Sequence, residues 1–309
     1  MTLAQPPLLV HGAGHPARAT RLLIRDLVRG GQGIADAADL KVTPLQRPAC
    51  GIRVADGSAV IHGARPWQGS YGQSNVGDAL VDIEPTGPFA RTDLLVLRIE
   101  DPQYEGERDP ARDQIGYFHV VRGVDAETTT APEGMSAIPL ARIALPRDTG
   151  TVTADMITDL RQLANPRHRH DVHTAYPTTT QQLPGERGTW QTWPVEAAWD
   201  VTIPAWATQA TVTVTVSGLR IEGGTVWAEL RPVLGGTTGR GTVIDDNQTG
   251  IHRVPATLAH TYPLASSLRG TVQRLTLQTN ESAKYGKGDL TVAEGTAIVA
   301  TVDFTESPE

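Results

Sequence analysis

His168-Arg169-His170 is the tightest constellation in the chain that could do chemistry. Side chains alternate along an extended strand, so two histidines two residues apart point the same way. Three parallel copies about a threefold axis would gather about six imidazoles, a set suited to an octahedral divalent metal such as iron, with zinc or nickel also compatible with imidazole. His173 could extend the site, and Asp171 could orient a ring from behind. The plainer alternatives are a solvated basic linker with incidental histidines, or histidines making ordinary trimer contacts.

The aromatic residues suggest a second kind of site. Trp190, Trp193, Trp199 and Trp206 crowd one stretch, and Trp227 lies in a strand-like run. Indole faces stack on pyranose rings and often anchor interfaces. Trp199, Trp206 and Trp227 read better as staples of a β core. Trp190 and Trp193, flanked by Gly188 and Pro194, are candidates for a ligand surface together with Tyr262 and Tyr285, which fall in expected loops. Asp245-Asp246-Asn247-Gln248-Thr249-Gly250 is similar to a calcium loop but lacks its downstream bidentate glutamate, so a polar loop is expected.

No hydrolase signature accompanies these residues. Gly-x-Ser-x-Gly, His-Glu-x-x-His and Gly-x-x-x-x-Gly-Lys are all absent. Glu105, Glu107, Asp109 and Asp113 form an acidic stretch that reads as solvent-facing. Cys50 is the only cysteine, which excludes an intramolecular disulfide and a cysteine-based zinc site in one chain. Lys+Arg 27 against Asp+Glu 34 gives −7, with the charges interspersed, which argues against nucleic-acid binding. The first ten residues lack a basic n-region and a long apolar core, so no signal peptide is expected, and no apolar run approaches the ~20 residues needed to span a bilayer.

The elements that must position these residues are mostly strands. Gly 31, Pro 22 and abundant Thr and Val suit short strands with many turns. One helix is predicted over 17–29, with Leu23/Leu27 and Ile24/Val28 as its apolar stripe and its arginines on a wet face. Residues 52–55 and 58–61 read as a hairpin around Asp56-Gly57. Strands follow at 80–84, 94–99, 116–121 and 139–145, then a short helix over 154–161 capped by Thr153. Residues 166–188 lose all apolar period and read as an extended linker or neck. Beyond them, Thr211-Val212-Thr213-Val214-Thr215-Val216 and Ile298, Ala300, Val302, Phe304 alternate strictly. The expected fold class is mainly β: a β-rich α+β domain over 1–165, the neck over 166–188, and an antiparallel, jelly-roll-like β-sandwich over 189–309.

Several strings resemble a known family. They are Ala19-Thr20-Arg21-Leu22-Leu23 with Gly30 to Gly33, Ile52 to Gly63, Thr92 to Arg98, Ile138-Pro139-Leu140-Ala141-Arg142 and Ile157-Thr158-Asp159-Leu160-Arg161. In order and spacing over residues 8–165 they resemble minor tail or baseplate proteins of siphophages that infect actinobacteria, and Trp199-Asp200-Val201-Thr202-Ile203-Pro204-Ala205-Trp206-Ala207 looks like the opening of the sandwich such proteins carry next. The resemblance implies a virion component of the tail tip, without enzymatic activity. An N-terminal domain would dock to other tail or baseplate proteins, and a C-terminal domain would point outward; the resemblance does not name its target, for which a host surface glycan is the expectation. A homotrimer aligned by the neck is the expected assembly. The alternatives are a purely architectural protein whose outer domain binds another virion protein, and a wall-degrading enzyme.

Overall fold

A computed structural model describes residues 16–47, 49–183, 188–281 and 287–309. Strands take 47% of the chain and helices 6%, which makes it the mainly β protein that the sequence pattern predicts. The backbone forms two compact units. The first runs to Pro166 and regains Ser307–Glu309; the second is Arg167–Glu306.

The first unit carries helix α1 (Ala17–Leu27) and strands β1 (Gly33–Ile34), β2 (Val42–Pro44), β3 (Gly51–Val54), β4 (Gly57–His62), β5 (Ser70–Asn75), β6 (Ala79–Asp82), β7 (Arg91–Ile99), β8 (Gly116–Val121), β9 (Ala137–Leu145) and β10 (Ile157–Asp159). They make three sheets, β1-β4-β5, β2-β3-β6 and β10-β9-β7-β8. Ile34, Leu40, Ile52, Ile61, Leu95, Leu140 and Ile143 lie fully buried between them.

Three local expectations change here. The helix does not bury its leucine stripe, since Leu27 is 69% exposed; its buried residues are Ala19 and Arg21. The hairpin at Asp56-Gly57 is instead a corner between two sheets, because β3 pairs β2 and β6 while β4 pairs β1 and β5. Segment 36–40 presses on that corner: Leu40 N–H donates to the Asp56 carbonyl at 3.0 Å, and a Cβ on Gly57 (φ +145°) would fall 2.6 Å from the Asp39 Cβ. Only glycine fits there. The helix over 154–161 is a single 3₁₀ turn, Ala154–Met156, running into β10, which pairs β9. Thr153 bonds the Asp155 carboxylate rather than a backbone amide. Asp159 then holds Arg161, whose buried guanidinium also donates to the carbonyls of Asp39 (2.6 Å) and Glu309.

The second unit holds β11 (His168–Ala175), β12 (Gln181–Gln182), β13 (Gln191–Thr192), β14 (Ala198–Thr202), β15 (Gln209–Glu222), β16 (Val226–Leu234), β17 (Thr237–Thr238), β18 (Thr242–Asp246), β19 (His252–Pro263), β20 (Val272–Glu281), β21 (Asp289–Val292) and β22 (Ala297–Thr305). One antiparallel sheet is ordered β11-β22-β15-β21-β12, with β19 on the other side of β15; the second is β13-β20-β16-β17, with β14 on β20 and β18 on β16. Val212, Val214 and Val216 of β15 and Ala300, Val302 and Phe304 of β22 point into one core with Leu230, Leu275 and Leu277 of the second sheet. The alternation changes phase at a bulge between Val216 and Leu219, which sends Leu219 and Ile221 inward. Gly218 (φ +82°) forms that bulge; a Cβ there would stand 3.0 Å from the Gly295 carbonyl oxygen.

The neck is the main correction to the predicted organisation. Residues 168–175 pair with β22 in unbroken register, from His168↔Thr305 to Ala175↔Ile298. Their polar side chains hide the apolar period because the strand lies at the sheet's edge, where only Ala175 is fully buried.

Candidate functional site

On β11, His168 and His170 share the exposed face, as their spacing requires. Both turn to Asp303 on β22: His170 Nδ1 lies 2.6 Å and His168 Nε2 3.3 Å from its Oδ1. Asp303, directly opposite His170, is the partner that sequence spacing could not reveal. Asp171 faces the other way and is held by Arg169 at 2.8 Å, so it orients neither of these rings. Among the described residues no group of three or more His, Cys, Asp or Glu is arranged to hold a metal ion. The iron or zinc expected on His168 and His170 would therefore need ligands from other copies.

The aromatic candidates separate. Trp193 is 2% exposed and packs in the sandwich core. Tyr262 is equally buried, its hydroxyl donating to the Pro232 carbonyl at 2.8 Å, and burial pushes its pKa up. Neither can meet a ligand at the surface. Tyr262 sits on β19 opposite Ala210, and Trp193 directly follows β13 with its amide on the Leu277 carbonyl, so both have partners distant in sequence that local turn signals do not disclose. Tyr285 lies outside the described residues.

Trp190 is half-buried, and the Arg231 guanidinium lies over its ring, 3.8 Å from the centroid. Gln278 fixes that guanidinium through its Oε1 at 3.0 and 2.8 Å. Arg231, Glu229 and Trp227 alternate along β16 with the buried Leu230 and Ala228, so all three face outward from the second sheet. Trp227 and Arg231 are four residues apart, roughly 13 Å along a strand. The outer face thus presents two indoles with a guanidinium, a carboxylate and a carboxamide beside or between them. Trp199 is a staple as expected, its indole N–H donating to the Thr174 carbonyl at 3.2 Å.

The polar loop 245–250 is closed by His252. Its Nε2 meets Asp246 at 2.9 Å and its Nδ1 meets the Gly250 carbonyl at 2.7 Å. Both ring nitrogens face oxygen acceptors, which only the imidazolium satisfies fully. The Asp246 carboxylate raises the His252 pKa, and His252 lowers that of Asp246. The stabilisation from His252 is therefore complete below its ordinary 6.5 and fades as pH rises through the raised value, while that from Asp246 is lost as pH falls through a value below 3.8. The melting difference between the parent and Asp246→Asn should be largest in mildly acidic buffer and shrink towards about pH 9, where a neutral imidazole leaves little to lose.

Several other groups that the sequence singles out are committed to structure. Burial raises the Cys50 thiol pKa, which disfavours the reactive thiolate. Glu105 is tied to Arg98 and to the Ser136 amide, and Asp113 accepts from the Asp109 amide. A cleft of about 320 Å³ in the first unit runs under residues 129–135, beside His62, Leu160 and Gln162; its one acidic lining residue is Glu133, so it offers no carboxylate pair.

No family model matches this chain, and no curated protein matches it. Among solved structures, the fold class defined above finds distant likenesses. The structure of infectious bursal disease virus, Gx strain, aligns with TM-score 0.28 and 10% identity over 91% of this chain and 76% of that one. The VP2 subviral particle of the same virus aligns at 0.25 and 11%, over 93% and 86%. The insecticidal delta-endotoxin Cry8Ea1 of Bacillus thuringiensis aligns at 0.20 and 8%, over 89% and 51%. The functional reading rests on the residues of this chain instead.

Proposed function

We propose that the chain is a non-enzymatic structural and adhesive component of a virion, of the phage tail-tip or baseplate kind, whose second unit binds a host surface glycan. The first unit supplies the mount, and Val76, Leu80 and Phe89, at 95%, 71% and 81% exposure, give it apolar surface for a protein partner. The observation that carries the adhesive part is the outward face with Trp190 stacked on Arg231 and Trp227 further along β16. Indole faces supply stacking for pyranose rings, while Arg231, Gln278 and Glu229 supply fixed donors and acceptors for hydroxyls. Several copies on one particle would convert weak single-site affinity into firm attachment.

Binding of the labelled full-length chain to intact actinobacterial cells, with and without periodate oxidation of their surface sugars, tests this. Trp190→Ala should weaken binding about tenfold or more, the usual scale for losing an aromatic anchor, while leaving the melting temperature unchanged. Cell binding that survives both periodate and Trp190→Ala would remove the glycan reading.

A further inference from the structure

Among the described residues, β11 has a strand neighbour on one side only. It pairs β22 over all eight residues, and among the described residues no strand lies beyond it. The direction of its backbone groups can be read from two contacts. The Thr174 carbonyl is met by the Trp199 indole, and Thr305, opposite His168, turns its carbonyl to the Thr208 amide on the β15 side. Because successive residues of a strand direct their N–H and C=O to opposite sides, Arg169, Asp171 and His173 bond β22, while His168, His170 and Val172 direct theirs outward. β19, which borders the sheet on the far side of β15, is guarded by Pro255 and Pro263. β11 contains no proline or lysine, two of the residues that blunt exposed edges, and its charged residues are the one pair Arg169 and Asp171.

We propose that β11 pairs antiparallel with β11 of a second copy of this chain, about a twofold axis at His170, making one continuous sheet from two sandwiches. In that register His170 faces His170 of the second copy, His168 faces Val172 and Val172 faces His168, so all three outward residues pair their backbone groups. Between them Arg169 stands opposite Asp171 of the second copy, and Asp171 opposite Arg169. The two neighbouring registers that keep outward residues paired are centred on 169 or 171. They set Arg169 against Arg169 or Asp171 against Asp171, which is repulsive. The charge pattern of this strand therefore selects one self-complementary register and a closed twofold pair in place of the expected threefold. The inference does not depend on what the second unit binds.

Sedimentation of the full-length chain at micromolar concentrations should give twice the chain mass. Asp171→Arg, which puts arginine opposite Arg169 of the second copy, should weaken the pair at least tenfold. Arg169→Asp combined with Asp171→Arg exchanges the charges, keeps the pairing within each strand, and should restore it. His170→Cys places two cysteines with Cα atoms about 5.5 Å apart, within disulfide reach, so mild oxidation should yield a covalent dimer joined at 170 by peptide mapping. A monomer at every concentration, a threefold mass, or a dimer indifferent to Asp171→Arg and not joined at 170 would overturn the proposal.

Discussion

Arg21→Ala should lower the stability of the first unit by about 3–5 kcal/mol, the cost of removing one partner from a buried ion pair. Arg21 sits on the helix face that packs on the unit, 8% exposed, with its guanidinium 3.4 Å from Asp101. Its Nε donates to the Gln68 carbonyl at 2.9 Å, and the rings of Tyr71 and Tyr104 lie 5.3 and 5.4 Å from its central carbon. The Tyr71 hydroxyl donates to Asp101 at 2.7 Å and accepts from Gln68 at 2.6 Å. Alanine would leave the Asp101 carboxylate buried without its cation and open space between two aromatic rings. Denaturant unfolding read by tyrosine and tryptophan fluorescence measures the loss. A cost under about 1 kcal/mol, the range of a surface pair, would mean that water reaches Asp101 freely.

The second large effect is at Tyr262. Tyr262→Ala should destabilise the sandwich by about 3–5 kcal/mol through the cavity it leaves. Tyr262→Phe should cost less, about 0.5–1.5 kcal/mol, because the Pro232 carbonyl loses one of two donors and keeps the Gly239 amide at 2.8 Å. The hydroxyl is confined further by Gly239, where a Cβ would stand 2.5 Å from it. Neither change touches the Trp190 face, so Tyr262→Phe should leave cell binding intact. Melting and binding together separate the two aromatic sites: Trp190→Ala should move only binding and Tyr262→Ala chiefly melting. A Tyr262→Phe protein with parental stability and weakened binding would return Tyr262 to the ligand surface.

The contrast between these tyrosine and tryptophan positions shows what local sequence could convey. Strict alternation at 211–216 and 298–304 reports one buried face directly, and those strands lie where periodicity puts them. β11 carries the same alternation in polar residues, with exposed His168, His170 and Val172 between half-buried Arg169, Asp171 and His173, and an edge strand needs little apolar material to be held. Asp56-Gly57 carries a turn signal that is correct about glycine but silent about the two sheets it separates. The buried Arg21 finds Gln68, Asp101 and Tyr104 at separations of 47 to 83 residues, beyond any local window. For the candidate site, Trp190 was legible as an aromatic in an irregular stretch. Arg231 and Gln278, which fix its environment, are brought to it by the pairing of β20 with both β13 and β16.

The second unit enters at Arg167 and leaves at Glu306, and these residues meet: the Arg167 amide and Nε donate to the Glu306 carboxylate at 3.2 and 2.8 Å. Its outermost ladder is therefore closed like a clasp at the point where the chain comes in and goes out. An insert whose two ends are adjacent can be exchanged for another with equally close ends, with the residues on either side asked to move little. The stretch between positions 166 and 307 could therefore be exchanged whole, with the first unit left as it is.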